Sequence, residues 1–311
     1  MSTHKIDQSA KFGSVTFPFP IFTASGCAAN GKELSQFFNL SDIGAVVTKS
    51  VMNNPRSGRA TPRMAETASG MLNAIGLQGP GIDSFLENDL PWLYAQGART
   101  IVSIAGESVE EFASLARKVR QAPGVSAIEV NISCPNVENR GLVFACDSVS
   151  ARNVIEAVKR SIGNTLPIIA KLSPDVTDIS TIAREVQAAG ADAVAMINTL
   201  LGMVIDTKKM RPVLANKTGG LSGPAIRPVA VRAIYQVHAA LPQLPILGMG
   251  GVMSGEDAFE LILAGASGVS VGTASFNDPS AAPRIQNELA ALIEQRGFNS
   301  VAEAVGYAHR D

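Results

Sequence analysis

Eight short apolar runs, most of them rich in Val, Ile or Ala, recur along this chain with amphipathic stretches between them. The runs are Ile21–Ser25, Ala45–Lys49, Thr100–Ile104, Ala127–Asn131, Pro167–Lys171, Ala193–Asn198, Pro245–Gly248 and Gly268–Val271. Their length suits buried strands better than helices. Helical periodicity marks Val109–Gln121, Ser148–Ile162, Ile179–Ala189, Arg227–Ala240, Gly255–Ala264 and Ala281–Arg296. Ser148 and Ser254 read as helix starts, and Gly190 and Gly265 as helix stops. Strands that alternate with helices pair in parallel, which leaves few architectures. Eight such units in 311 residues predict the α/β class and a closed (β/α)8 TIM barrel. The competitor, an open doubly wound sheet, would usually carry GxGxxG after an early strand, and that pattern is missing there.

No Pro/Ser-rich linker or charge block divides the sequence, so residues 1–311 are expected to form one domain. The segment Ser50–Asp83 is rich in Gly, Pro and Asn and predicts an elaborated loop over the top face, where active-site loops belong. Ser14–Phe22, with Pro18 and Pro20, predicts a short N-terminal hairpin at the barrel bottom. A hydrophobic share of 46% against 17% charged residues supports a large core. The net charge of −1 gives no electrostatic case for nucleic acid or a membrane surface. No apolar run approaches the roughly 18 residues needed to span a bilayer. Met1–Lys11 is polar, unlike a signal peptide. Cys27, Cys134 and Cys146 form no CxxC or zinc spacing, so no metal site is expected, and the default setting is a reduced cytoplasm.

In a barrel, functional groups belong at the C-terminal strand ends. Those ends carry Ser25, Lys49 with Ser50, Ser103, Asn131, Lys171 with Ser173, Asn198 with Thr199, Gly250-Gly251 and Gly272-Thr273. The two glycine-bearing ends follow the seventh and eighth strands, where such barrels often cradle phosphate with backbone amides. Gly223 can add an amide from a preceding loop. Lys49 and Lys171 close apolar strands and call for an anion, either a substrate carboxylate or a reduced flavin ring, unless they snorkel to solvent. Asn73, Asn131, Asn198 and Asn136 offer both donors and acceptors and suit a planar imide such as a pyrimidine. A turn-forming role competes most strongly for Asn73 and Asn136. Cys134 is the candidate base, since His4, His238 and His309 lie outside every motif. Its competing reading is a small buried hydrophobe, and that reading is preferred for Cys27 and Cys146.

The most specific segments are Met71-Leu72-Asn73-Ala74-Ile75-Gly76-Leu77, Asn131-Ile132-Ser133-Cys134-Pro135-Asn136, Ile197–Met203 and Thr218–Ile226. On these the chain resembles the class 1 dihydroorotate dehydrogenases over nearly its whole length. The resemblance implies an FMN-dependent barrel that oxidises dihydroorotate to orotate in pyrimidine biosynthesis. It implies FMN contacts at Ser25, Lys49, Ser50, Ser103, Asn131, Lys171, Ile197, Gly223, Gly250, Gly251, Gly272 and Thr273. Substrate contacts are implied at Lys49, Asn73, Ala74, Ile75, Gly76, Leu77, Asn131, Asn198 and Thr199. Cys134 would be the base, under a closing loop at Pro135–Asp147.

Asn198–Met203 and Thr218–Ile226 look like class 1B. There a homodimeric catalytic core pairs, in a heterotetramer, with a subunit that carries FAD and a [2Fe-2S] cluster and passes electrons to NAD+. Ser103 is more like class 1A, which uses fumarate, and Phe144-Ala145-Cys146-Asp147 replaces the usual Phe-Gly-Thr-Asp. A dihydropyrimidine dehydrogenase flavin subunit has a similar Asn-x-Ser-Cys-Pro turn, but Asn73–Leu77 favours dihydroorotate. A non-catalytic barrel that senses a phosphorylated ligand is the reading from a different class.

Overall fold

The computed structural model describes residues 6–133 and 146–310. Its barrel strands are β1 (Ile21–Thr23), β2 (Val46–Val47), β3 (Thr100–Ile104), β4 (Val125–Asn131), β5 (Ile168–Lys171), β6 (Ala193–Met196), β7 (Ile246–Met249) and β8 (Gly268–Val271). Neighbouring strands pair in parallel from β2 through to β8 and on to β1. A parallel bridge between Phe22 and Ala45 then closes β1 onto β2. All eight predicted strands are present, in a TIM barrel.

Side-chain alternation sorts each strand into an outer and an inner face. Val102, Ile104, Ile128, Val130, Ile168 and Ala170 pack outward in the large helix-covered core. Ile101, Ala127 and Ile169 point inward instead. One step further up the same inward rows stand Ser103, Glu129 and Lys171, and then Asn131.

The outer layer includes α1 (Val109–Arg120), α2 (Ser148–Ile162), α3 (Ile179–Ala188), α4 (Arg227–Ala240), α5 (Gly255–Ala264) and α6 (Ala281–Gln295). Ser254 caps α5 in a reciprocal capping box with Asp257. The helix start read at Ser148 shifts by one residue: Asp147 is the cap, and its carboxylate accepts from Ser150 N at 2.8 Å. Asp147 has the extended backbone a cap needs, while Ser148 already lies in the first turn. Gly190 and Gly265 end α3 and α5 as predicted, with φ of 102° and 127°. The first βα unit departs from the pattern, with two short 3₁₀ turns, Leu34–Gln36 and Leu40–Asp42, in place of a full helix.

The predicted N-terminal hairpin exists, but it begins earlier, pairing Ala10–Phe12 with Val15–Phe17. Phe12, Phe17 and Phe22 meet edge to face, with ring centroids 5.2 to 6.0 Å apart. All three are fully buried and join the inward row of the barrel. Each contributes about 1.5–3 kcal/mol by area alone.

At the top, the expected loop Ser50–Asp83 contains a hairpin, Met64–Thr67 with Gly70–Asn73. Gly219–Ser222 and then Leu200–Gly202 extend it into a four-stranded antiparallel sheet. These strands are short, glycine-bearing and only partly buried, so the sequence shows no clear two-residue alternation there. Among the described residues, no helix is long and apolar enough to cross a membrane.

Candidate active site

A continuous cleft opens at the C-terminal ends of the strands. One end is built by the loops after β7 and β8. Gly250, Gly251, Gly272 and Thr273 line it, with Ile197 and Gly223 beside them. Gly251 has φ 74°, and an added Cβ would stand 2.7 Å from Arg227 Cβ. Only glycine lets the backbone sit there. At Gly272 the constraint is space, since a Cβ would come within 3.2 Å of both Ala24 Cβ and Cys27 Sγ at the cleft wall. Ser270 Oγ is buried at this end without a hydrogen-bond partner among the described residues. None of the described lining residues here is acidic. A glycine cradle, a hydroxyl in want of a partner and the Lys171 cation suit a phosphate ester.

The other end is wider, with a volume of about 670 Å³. That lies within the usual range for a small-molecule site. Lys49, Ser50 and Asn131 line it together with Asn73, Ile75, Gly76 and Leu77. Ser25, Cys27, Lys171, Asn198 and Thr199 border both ends and make them one cleft. Leu77 takes a left-handed φ of 55°, a sparsely populated state for a leucine that tends to cluster at ligand clamps. Arg56 and Arg63 add positive charge at the rim. Arg56 is paired with Glu107, and Arg63 with Gln78. Sequence reading missed both arginines, because they lie outside any strand end.

The floor is a hydrogen-bonded set. Lys171 Nζ donates to Ser25 Oγ at 2.8 Å and lies 3.9 Å from Glu129 Oε1. Asn131 Nδ2 donates to Ser50 Oγ at 2.9 Å. Ser133 Oγ donates to Asn131 Oδ1 at 2.9 Å and accepts from Asn198 Nδ2 at 2.6 Å. Thr199 N donates to Asn198 Oδ1 at 2.8 Å, which holds that amide in place.

Two of the expected contact residues do not line the cleft. Ser103 is fully buried one layer below, with Oγ 2.8 Å from Ser50 Oγ. Ala74 is buried in the side wall, where its N–H donates to Arg63 O at 2.8 Å. Cys27, read as a packing residue, borders the cleft. Burial pushes its thiol up, partly offset by the charges of Lys171 and Lys49. Cys146 lies apart, beside Asp175, and burial pushes its thiol up as well. Cys134 and Asn136 fall outside the described residues, as does most of Pro135–Asp147. Ser133, which immediately precedes Cys134, is buried in the floor.

Fold and cleft together define a class: a (β/α)8 barrel whose mouth has a glycine-lined end suited to phosphate and an amide-bearing end suited to a flat polar ring. The dihydroorotate dehydrogenase family model matches residues 8–293, and the chain belongs to that family. Three similar proteins carry the name dihydroorotate dehydrogenase B (NAD(+)), catalytic subunit. The one from Geobacillus sp. (strain WCH70) is 48% identical over 287 residues, 92% of this chain and 91% of the relative. That of Desulforamulus reducens is 47% identical over 305 residues, covering 98% and 99%. That of Geobacter sulfurreducens is 47% identical over 302 residues, covering 97% and 98%.

Proposed function

We propose that this chain is the FMN-bearing catalytic subunit of an NAD+-linked dihydroorotate dehydrogenase. It oxidises (S)-dihydroorotate to orotate in de novo pyrimidine synthesis. The observation that carries the reading is the convergence of Asn131, Asn198 and Lys171 on one floor beside a glycine-lined end with no acidic side chain among its described lining residues. Family membership supports the substrate, and the relatives' names support the NAD+ branch over a fumarate-using one.

Gly223, Gly250, Gly251, Gly272 and Thr273 hold the cofactor phosphate. Ser25, Lys49, Ser50, Asn131, Lys171 and Ile197 hold its ring. Bound FMN supplies the hydride acceptor. Lys171, only 4% exposed, is the cation that offsets negative charge gathering on that ring. Asn73, Asn131 and Asn198 match the donors and acceptors of the pyrimidine. Lys49 and the backbone of Asn73–Leu77 take its carboxylate, beside Thr199. Cys134 removes the C5 proton; an ordinary thiol near pKa 8.5 becomes a useful base once a nearby cation lowers that value. The partner is a subunit carrying FAD and a [2Fe-2S] cluster, joined to a homodimeric core in a heterotetramer.

Stopped-flow absorbance under anaerobic conditions tests this. Dihydroorotate bleaches the yellow protein and dihydrouracil does not. Cys134→Ser slows the bleaching by about 10²-fold or more at neutral pH while FMN stays bound. A colourless protein, or one indifferent to dihydroorotate, rejects the function. Near-wild-type bleaching in the variant removes Cys134 from its role. Fumarate reduction by the isolated chain rejects the partner.

A further inference from the structure

Glu129 and Lys171 are the only charged residues among the described buried set. The reaction above uses the lysine and leaves the glutamate without a task. Glu129 is fully buried on the inward row of β4, two residues below Asn131. Its Oε1 accepts from Ser103 Oγ at 2.7 Å and lies 3.9 Å from Lys171 Nζ, while Oε2 has no hydrogen-bond partner among the described residues. A buried carboxylate oxygen without a partner is destabilising, so the core gains nothing from it that an apolar residue would not give.

The geometry gives the carboxylate a use. An ionised carboxylate only accepts hydrogen bonds. Ser103 must therefore donate to it, which leaves Ser103 Oγ to accept from Ser50. Ser50 has then used its one hydrogen and accepts from Asn131 Nδ2. Asn131 Oδ1 faces Ser133, which donates to it and accepts from Asn198 Nδ2. Every bond from Asn198 to Glu129 thus points the same way. The Thr199 N–H fixes Asn198 at the near end. The hydroxyls of Ser50 and Ser103 could be reversed, which would turn the Asn131 amide over, and the carboxylate end forbids it. Such one-way chains polarise and strengthen their members. Each asparagine keeps one N–H for a ligand, and at Asn131 the cleft presents a donor where the opposite polarity would present an acceptor.

We infer that Glu129 is a positioning residue: as the acceptor-only terminus of this chain, it fixes the amide orientation of Asn131 and so the hydrogen-bonding face that this asparagine turns to the ring carbonyls of the substrate. The inference rests on the proposed function for its ligand alone. Glu129→Gln keeps shape and volume but offers an amide that can donate, so the chain loses its imposed direction. Simple electrostatics predicts the opposite sign. Removing a negative charge beside Lys171 strengthens binding of an anion such as orotate, whereas a chain without direction weakens it.

Orotate is titrated into the FMN-loaded protein and read from the flavin absorbance, with affinity expressed per bound flavin. Glu129→Gln weakens orotate at least tenfold. Ser103→Ala, which breaks the same chain without changing charge, produces a similar loss. The double variant is no worse than about threefold beyond the weaker single, the non-additivity of residues that act as one unit. Unchanged or tighter orotate binding in Glu129→Gln, or losses that multiply, overturns the inference. A wild-type chain that ignores orotate sinks the proposed function instead. The chain is then read from the side-chain NH2 resonances of protein labelled with ¹⁵N-asparagine. Those of Asn131 move in Glu129→Gln and in Ser103→Ala; Asn131 signals that stay in place overturn the inference without any ligand.

Discussion

The two halves of the barrel interior are lined by the same strands with the same two-residue alternation, the lower one filled also by the N-terminal hairpin, yet they share almost no chemistry. The lower half is aromatic and aliphatic: Phe12, Phe17 and Phe22 pack against Ala45, Val47, Ile101, Ala127 and Ile169. The upper half is Ser103, Glu129, Asn131 and Lys171, joined to one another directly or through Ser50. Alternation decides which side chains enter the barrel. Height along the axis decides whether they stabilise or function. A buried ion pair contributes little net stability compared with well-packed apolar residues, so its presence in the upper half calls for a role other than stability.

That contrast can be broken experimentally. The largest effect is expected below. Phe12→Ala lowers the unfolding free energy by about 3–5 kcal/mol, measured in urea, with orotate affinity unchanged in the folded fraction. A matching loss of affinity would show that the two halves are not separable. Next comes conversion of the upper half to the chemistry of the lower. Lys171→Met combined with Glu129→Leu cuts the rate of flavin reduction by about 10²–10³-fold. Stability in the same urea assay stays level or rises by about 1–4 kcal/mol. A large drop in stability would mean that the pair is structural.

Smaller effects belong to the rim and the cleft wall. Asp178 caps α3, and its hydrogen bonds, first from the Thr181 side chain and then from the Ser180 backbone, hold its carboxyl below the usual range. Asp178→Ala costs about 1 kcal/mol at neutral pH. The folded value lies below the unfolded one. The contribution is therefore complete above about pH 4 and is lost as pH falls through the folded value, where wild type and variant converge. The smallest change concerns Cys27. With its thiol pushed up by burial, iodoacetamide labels it more slowly than a free cysteine at pH 8, and faster labelling would show a more open cleft wall.

The barrel was legible because each strand is a compact apolar run, and its polar ends were legible because a run that stops at Asn131 or Lys171 is conspicuous. Glu129 was hidden inside its run. Only after the period of two is applied to Ala127, Glu129 and Asn131 does it join the inward set. Ser103 was placed at the barrel mouth by its strand-end position and in contact with the cofactor by the resemblance, and depth along the axis puts it one layer down. The top sheet was hidden for another reason. Its strands are held by partners far away in sequence, and their own composition reads as loop. Arg56 and Arg63 reach the rim from that same region, so nothing local announced them.

The top sheet also bears on how the molecule is made. Asn73 contacts Gly220, which lies 147 positions further along the chain. While the chain emerges from the ribosome, the Met64–Asn73 hairpin is complete long before the strand that covers its edge has been synthesised. An uncovered strand edge is a template for pairing with another chain. Until Gly219–Ser222 emerges, nascent chains side by side on one message are most prone to misassemble at the very hairpin that later walls the cleft.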